Sequence, residues 1–182
     1  MRIVDYSHGM TGSAHDASAF EHTGAAKDPT WFFDGAEFAW VDSAYPCTAH
    51  TIPVHKEPAS LIPANAVFDR YVSHLRVRSE HCMGALKGRF QSLRGLRINI
   101  NSKSDHHFAC RWITAAIILH NLVIDVEGVE SVQYFANLHT ALEEVGDSGQ
   151  HFPGQEHADL NGEAKRHLLI EELLAYRNQR SS

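Results

Sequence analysis

The spacing of apolar positions changes character near residue 63 of the chain. Before that point, short apolar runs alternate with Gly-, Asp- and Pro-rich stretches, a pattern of strands and turns. Arg2 to Tyr6 (RIVDY) is expected to be a short strand, and GMTGS (9–13) a turn. Asp16 is placed to cap a short helix, Ala17 to Glu21. Phe38-Ala39-Trp40-Val41 reads as a buried strand that ends where Asp42-Ser43 begins. Thr51-Ile52-Pro53-Val54 is a second strand, confined by Pro53 to an edge or a strand end.

From Pro63 the period becomes helical. Phe68, Val72, Leu75, Cys82, Leu86, Phe90 and Leu93 share one apolar stripe, with Arg76, Glu80, Lys87 and Arg94 beside it. Gly84 and Gly88 argue against a single unbroken helix there. Arg97 to Asn101 (RININ) alternates, as a strand or a linker would. Phe108 to Ile124 is apolar on nearly every side and is expected to be a buried helix. Residues 126–162 are acidic and polar, an expected flexible linker. Residues 163–178 then form an amphipathic helix with Leu168, Leu169, Leu173 and Leu174 on its apolar side. No internal repeat is present.

Composition narrows the class. With 182 residues, 43% hydrophobic and 21% charged, the chain is long enough for a real core and suits one globular domain with a tail. The most apolar stretch, Trp112 to Ile124, is interrupted by His120 and Asn121 and falls short of the roughly 18–20 residues of a membrane span. MRIVDYSHGM has neither the apolar core nor the cleavage site of a signal peptide. Cys47, Cys82 and Cys110 form no CxxC, so buried thiols in a reducing, intracellular compartment are expected.

Charge is unevenly spread within the net −6. Residues 69–111 carry nine basic and three acidic side chains, whereas the segments on either side are acidic. The overall balance argues against a general nucleic-acid binder, but the middle third could meet phosphates or simply form a solvated face.

The candidate chemistry rests on Asp42 and Glu80. Asp42 stands at the carboxyl end of an expected strand, where open α/β folds place ligand-binding groups. Glu80 lies at the edge of the helical stripe, four residues after Arg76. Two carboxylates from different elements suit the hard oxygen coordination of Mg²⁺ or Mn²⁺. The rival readings are an Asx-turn or cap at Asp42 and a surface ion pair at Glu80. His50 with His55, or His106-His107, lacks the spacing of a zinc motif, and there is no nucleophile elbow, P-loop or Rossmann glycine pattern.

WVDSAYP (40–46) followed by RVRSEHCMGALKGRFQSLRGLRI (76–98) is similar to the Harbinger transposase family and its domesticated relatives. GMTGSAHDASAF (9–20) resembles that family's Gly-x-x-Gly-Ser-x-His-Asp segment, and WITAAIILHNLVID (112–125) its closing helix with His-Asn. The four collinear blocks imply an α/β, ribonuclease H-like DDE nuclease fold over residues 1–125, with a helical C-terminal part. By the same resemblance, Asp42 is the second Asp of the triad and Glu80 its Glu. The first Asp has no counterpart, because the first two strands are absent and Asp5 falls on the family's third strand. His15 and Asp16 read as structural caps.

The resemblance further implies divalent-metal cleavage of DNA, in the nucleus if the host is eukaryotic, impaired in this chain by the absent Asp. Arg76, Arg78, Lys87, Arg89 and Arg94 would contact the phosphate backbone. Site recognition would fall to a separate DNA-binding partner protein. The alternative is a non-catalytic remnant that binds DNA or protein.

Overall fold

The computed structural model describes residues 1–128 and 160–180. The chain is a mixed, mostly helical one that divides into two compact units. The first comprises Met1–Ala14 and Val77–Ser148, the second His15–Arg76 and Gly149–Ser182. Most of the expected linker, residues 129–159, lies outside the described residues.

The second unit opens with two short helices, α1 (Asp16–Phe20) and α2 (Gly24–Lys27), the latter capped by the Thr23 hydroxyl. Strands β1 (Ala39–Val41) and β2 (Thr51–Pro53) follow and run parallel, with Trp40 opposite Ile52. They make a two-stranded sheet, so Pro53 sits on an edge strand, where a missing N–H costs no ladder bond. Residues 42–50 connect the strands and are held by a relay of hydroxyls. Thr51 Oγ1 donates to Pro46 O at 2.8 Å, so Thr48 donates to Thr51 Oγ1 at 2.7 Å. Thr48 Oγ1 in turn accepts from the backbone N–H groups of His50 and Thr51.

Helix α3 (Pro63–Arg89) begins with proline, whose missing N–H is harmless in a first turn. Phe68 and Val72, one turn apart, bury their side chains against Ile52, Cys47 and Ile170. Ile52, Val72 and Phe68 are at most 2% exposed, each worth roughly 1.5–3 kcal/mol of burial. The last helix, α5 (Leu160–Arg180), closes this core with Ile170, Leu169, Leu173 and Leu174. Leu168, expected on the apolar side, is instead 60% exposed, and Ile170 takes the buried position. Lys165 clasps the start of both strands, its Nζ donating to Ala36 O and Ala49 O and lying 4.4 Å from the Phe38 ring centre. Burial pushes the Lys165 pKa down.

The first unit contains the remainder of α3 and helix α4 (Lys103–Glu127). Gly84 and Gly88 do not interrupt α3; both are buried beside Ala85, which packs against Met1 and Ile124. The helix continues through them despite their roughly 1 kcal/mol penalty each. Helix α4 starts with a reciprocal cap. The Ser102 hydroxyl accepts from the Asp105 N–H, and the Asp105 carboxylate accepts from Ser102 and from the Asn101 N–H. Those bonds, the Ser102 hydroxyl first, hold the Asp105 pKa down.

Two expectations are corrected here, whereas Arg97–Asn101 takes the linker form of its two alternatives. Arg2–Tyr6 forms no strand. Instead, the Asn121 carboxamide takes the place of a neighbouring strand. Its Oδ1 accepts from Ile3 N–H at 3.0 Å and its Nδ2 donates to Ile3 O at 2.7 Å. Arg2 pairs with Asp125. Met1 O accepts from His120 Nε2–H at 3.2 Å and from the Cys82 thiol at 3.5 Å. The second correction is that α4 is not buried all round: Phe108, Ile118 and Leu122 are each more than half exposed. This helix is also long and apolar enough to cross a membrane. Its His120 and Asn121 are taken up by residues 1–3, which is how a helix of a globular unit uses such groups.

Two stability tests arise. A Cβ on Gly162 would lie 2.7 Å from the backbone of Cys47 and Thr48, too close for either to yield cheaply. Gly162→Ala is therefore expected to cost about 1–3 kcal/mol in a urea melt. Burial lowers the His120 pKa below its usual 6.5. As pH falls below that value the unfolded chain takes up a proton that native His120 refuses, so this contribution is full above it and is lost on acidification. His120→Gln should lower stability at neutral pH by about 1–3 kcal/mol and flatten the acid-side slope relative to the parent chain.

Candidate active site

Residues 42–46 leave the carboxyl end of β1 in a turn closed by Tyr45 N–H donating to Asp42 O at 3.0 Å. The turn holds the Asp42 side chain out. One carboxylate oxygen accepts from the Ser43 N–H at 2.5 Å, and the other lies 3.7 Å from the Arg76 guanidinium. The Asp42 side chain is 45% exposed, so it combines a local bond to the next residue, not the expected Asx-turn, with access to solvent.

Tyr45 reports the field around it. Burial, then the charges of Asp16 and Asp42, push its pKa up, while Arg76 pulls it down. The phenol therefore stays protonated at neutral pH and remains a hydrogen-bond donor. Its ring meets Phe20 edge-on, which ties α1 to the turn. Asp16, expected to be a cap, is instead the first residue of α1. His15 holds the N-cap position and makes no side-chain cap bond.

A cavity of about 550 Å³ adjoins this turn, lined among others by Ser43, Tyr45, His55, Lys56, Glu57 and Arg166. His55 is locked into its wall. Both its backbone N–H and its Nδ1 bond to Asp69 Oδ1, at 3.0 and 2.8 Å, which directs Nε2 away from that pair. Asp69 Oδ2 is buried without a hydrogen-bond partner. Arg166 makes a two-pronged pair with Glu163 and also reaches Pro53 O. The His55–Asp69 pair was not singled out from sequence. A separation of 14 positions between a strand end and a helix gives no periodic signal, and His55 registered only as a possible zinc ligand.

Glu80 lies on α3 in the first unit and is exposed, whereas Asp42 and Arg76 belong to the second. The basic residues expected at a phosphate backbone fare differently. Arg78 and Arg94 are exposed and Lys87 is half-buried. Arg76 faces Asp42, and Arg89 bonds to Glu127 at 3.0 Å. Among the described residues, no group of three or more His, Cys, Asp or Glu side chains is placed to hold a metal ion. The carboxylates suit a divalent cation in kind, as hard oxygen donors, but fall short in number.

The pattern of the DDE superfamily endonuclease family matches residues 1–121 of the chain. No curated protein and no solved structure matches it.

The electrostatics around Tyr45 give a test that needs no activity. Asp42→Asn removes a charge that raises the phenol pKa and should lower it, whereas Arg76→Met should raise it further. Titration of ring-labelled tyrosine by NMR checks this; shifts of the same sign in both variants would contradict the arrangement.

Proposed function

The chain belongs to the DDE superfamily endonuclease family, and from that membership we propose that it is a Harbinger-type, transposase-derived nuclease domain acting on DNA. The family gives the reaction class, hydrolysis or transfer at a phosphodiester, and DNA as the substrate. The proposal adds the residues: Asp42 and Glu80 as two carboxylates of the acidic triad on a ribonuclease H-like scaffold. The supporting observation is the setting of Asp42, displayed at the carboxyl end of β1 with Arg76 3.7 Å away.

Endonucleases of this superfamily generally work with divalent metal ions. When bound, such an ion polarises the scissile phosphate and makes water a better nucleophile. Asp42 and Glu80 would hold it, as Mg²⁺ or Mn²⁺. Other groups act without it. The Tyr45 phenol is a neutral donor for a phosphate oxygen, and Arg78, Lys87 and Arg94 supply charge for the DNA backbone, which positions a duplex without reading its sequence. Arg76 faces Asp42 at 3.7 Å and orients it, and Arg89 is taken up by Glu127. Target choice is assigned to a separate DNA-binding partner protein, and the working compartment to the nucleus of a eukaryotic host.

The motif blocks place no third carboxylate of the triad within these 182 residues. Two carboxylates hold Mg²⁺ poorly, since it demands near-ideal octahedral geometry. The 182-residue chain alone is thus an impaired enzyme. A second reading draws on the same lack of a three-ligand cluster among the described residues: a non-catalytic module that keeps DNA or protein binding.

Nicking of supercoiled plasmid in Mn²⁺ separates the readings. The expected result is slow nicking at best, with any metal-dependent rate removed by Asp42→Asn and by Glu80→Gln. Fast nicking that survives Asp42→Asn would sink the residue assignment. DNA binding without nicking, unchanged in both variants, would favour the non-catalytic module.

A further inference from the structure

Helix α4 presents two aromatic rings to solvent near its start. Phe108 is 54% and Trp112 46% exposed, one turn apart, with ring centres 6.4 Å apart and planes tilted by 48°. The indole is fixed in place, because Trp112 Nε1–H donates to Ser92 Oγ at 3.1 Å. These rings and the segment from Gln91 to Ile98 bound an open groove of about 690 Å³ within the first unit. That volume lies within the roughly 300–1,000 Å³ range of small-ligand clefts.

The groove has a charged rim. Arg94 and Arg97 line it, and both are exposed. Residues 90–111 hold four Lys or Arg side chains and a single carboxylate, Asp105. Asp105 is already engaged by Ser102 and Asn101 at the helix cap, so it offsets the rim charge only weakly. A purely apolar groove would leave its occupant open. Aromatic rings and exposed guanidinium groups lining one groove ask for something flat and apolar joined to something anionic, which is the description of a nucleotide. A base inside a duplex has both faces covered by its neighbours, so only an unpaired base offers a face to the rings.

We propose that this groove binds an unpaired nucleotide of a DNA strand, its base against Trp112 and Phe108 and its phosphates on Arg94 and Arg97. The proposal rests on DNA being the substrate and deepens that reading. It gives the first unit a hold on single-stranded DNA that does not depend on the carboxylates. Arg94, exposed from a short 3₁₀ turn (Gln91–Arg94), thereby adds a role at a single strand to its charge for the duplex backbone.

The test uses the whole 182-residue chain and a fluorescein-labelled oligothymidylate, read by anisotropy and by quenching of tryptophan emission. Trp112→Ala is expected to weaken binding by about fivefold to a hundredfold, the range for losing one stacked base. Trp112→Phe should recover most of that loss. An abasic strand of equal length should bind the parent chain about as weakly as oligothymidylate binds Trp112→Ala. Arg94→Gln with Arg97→Gln should flatten the salt dependence. Thermal melts of each variant show that folding is retained, and both rings are exposed enough for substitution to be tolerated.

Equal affinity for abasic and thymidylate strands, or no effect of Trp112→Ala, overturns the proposal. So does loss of self-association in Trp112→Ala at unchanged DNA affinity, which would make the groove a contact between copies of the chain. If metal-dependent nicking is seen while Trp112→Ala changes nothing, the groove assignment fails and the nuclease reading stands. Trp112-dependent strand binding without any nicking has the opposite meaning.

Discussion

The backbone polar groups of residues 1–3 have to be satisfied without a strand beside them, and the packing of the first unit follows from how this is done. A buried N–H or C=O left unpaired costs about 1–3 kcal/mol, so an extended segment cannot lie against an apolar helix unless that helix offers partners. Asn121 provides a donor and an acceptor in the geometry of a strand edge, and His120 with Cys82 covers the carbonyl before it. Met1 is thereby set against Ala85 and Ile124. The two polar residues that interrupt the most apolar stretch of the chain are thus what attaches its first residues.

In the second unit the organising constraint is the burial of Ile52, on a strand of only three residues. A two-stranded sheet that small cannot hold itself together in water. Here Phe68 and Val72 from α3 and Ile170 from α5 enclose it, and Lys165 closes its open end with two hydrogen bonds. Asp42 is consequently displayed from a framework fixed by segments more than 100 positions apart in sequence. Arg76 answers its charge, and Tyr45 records the balance.

Much of this was legible in the sequence. The runs Phe38–Val41 and Thr51–Val54 mark the two strands, because short apolar runs bounded by turn residues have few other uses. The stripe through Phe68, Val72 and Leu86 marks α3. The glycines misled, since a propensity cost of this size is small against the burial of the helix at 84 and 88. Arg2–Tyr6 misled in the other direction. A strand pattern specifies an extended backbone but not its partner, and here the partner is a side chain. The apolar run of α4 was read as buried because composition does not say on how many sides a helix is covered. Around the candidate site, motif spacing pointed to Asp42 and Glu80. His55 and Asp69 stayed hidden, as their meeting depends on how β2 and α3 cross.

The hydroxyl relay through Thr48 and Thr51 has a bearing on recognition. Residues 42–50 belong to a connection that would ordinarily wander, yet two of its backbone groups, Pro46 O and His50 N–H, are tied to two threonine side chains. Ordering a loop when a ligand arrives subtracts from affinity, residue by residue. In this chain that ordering is complete when the protein folds. Whatever meets Asp42 encounters a connection already tied in place, so less of that cost is left to binding.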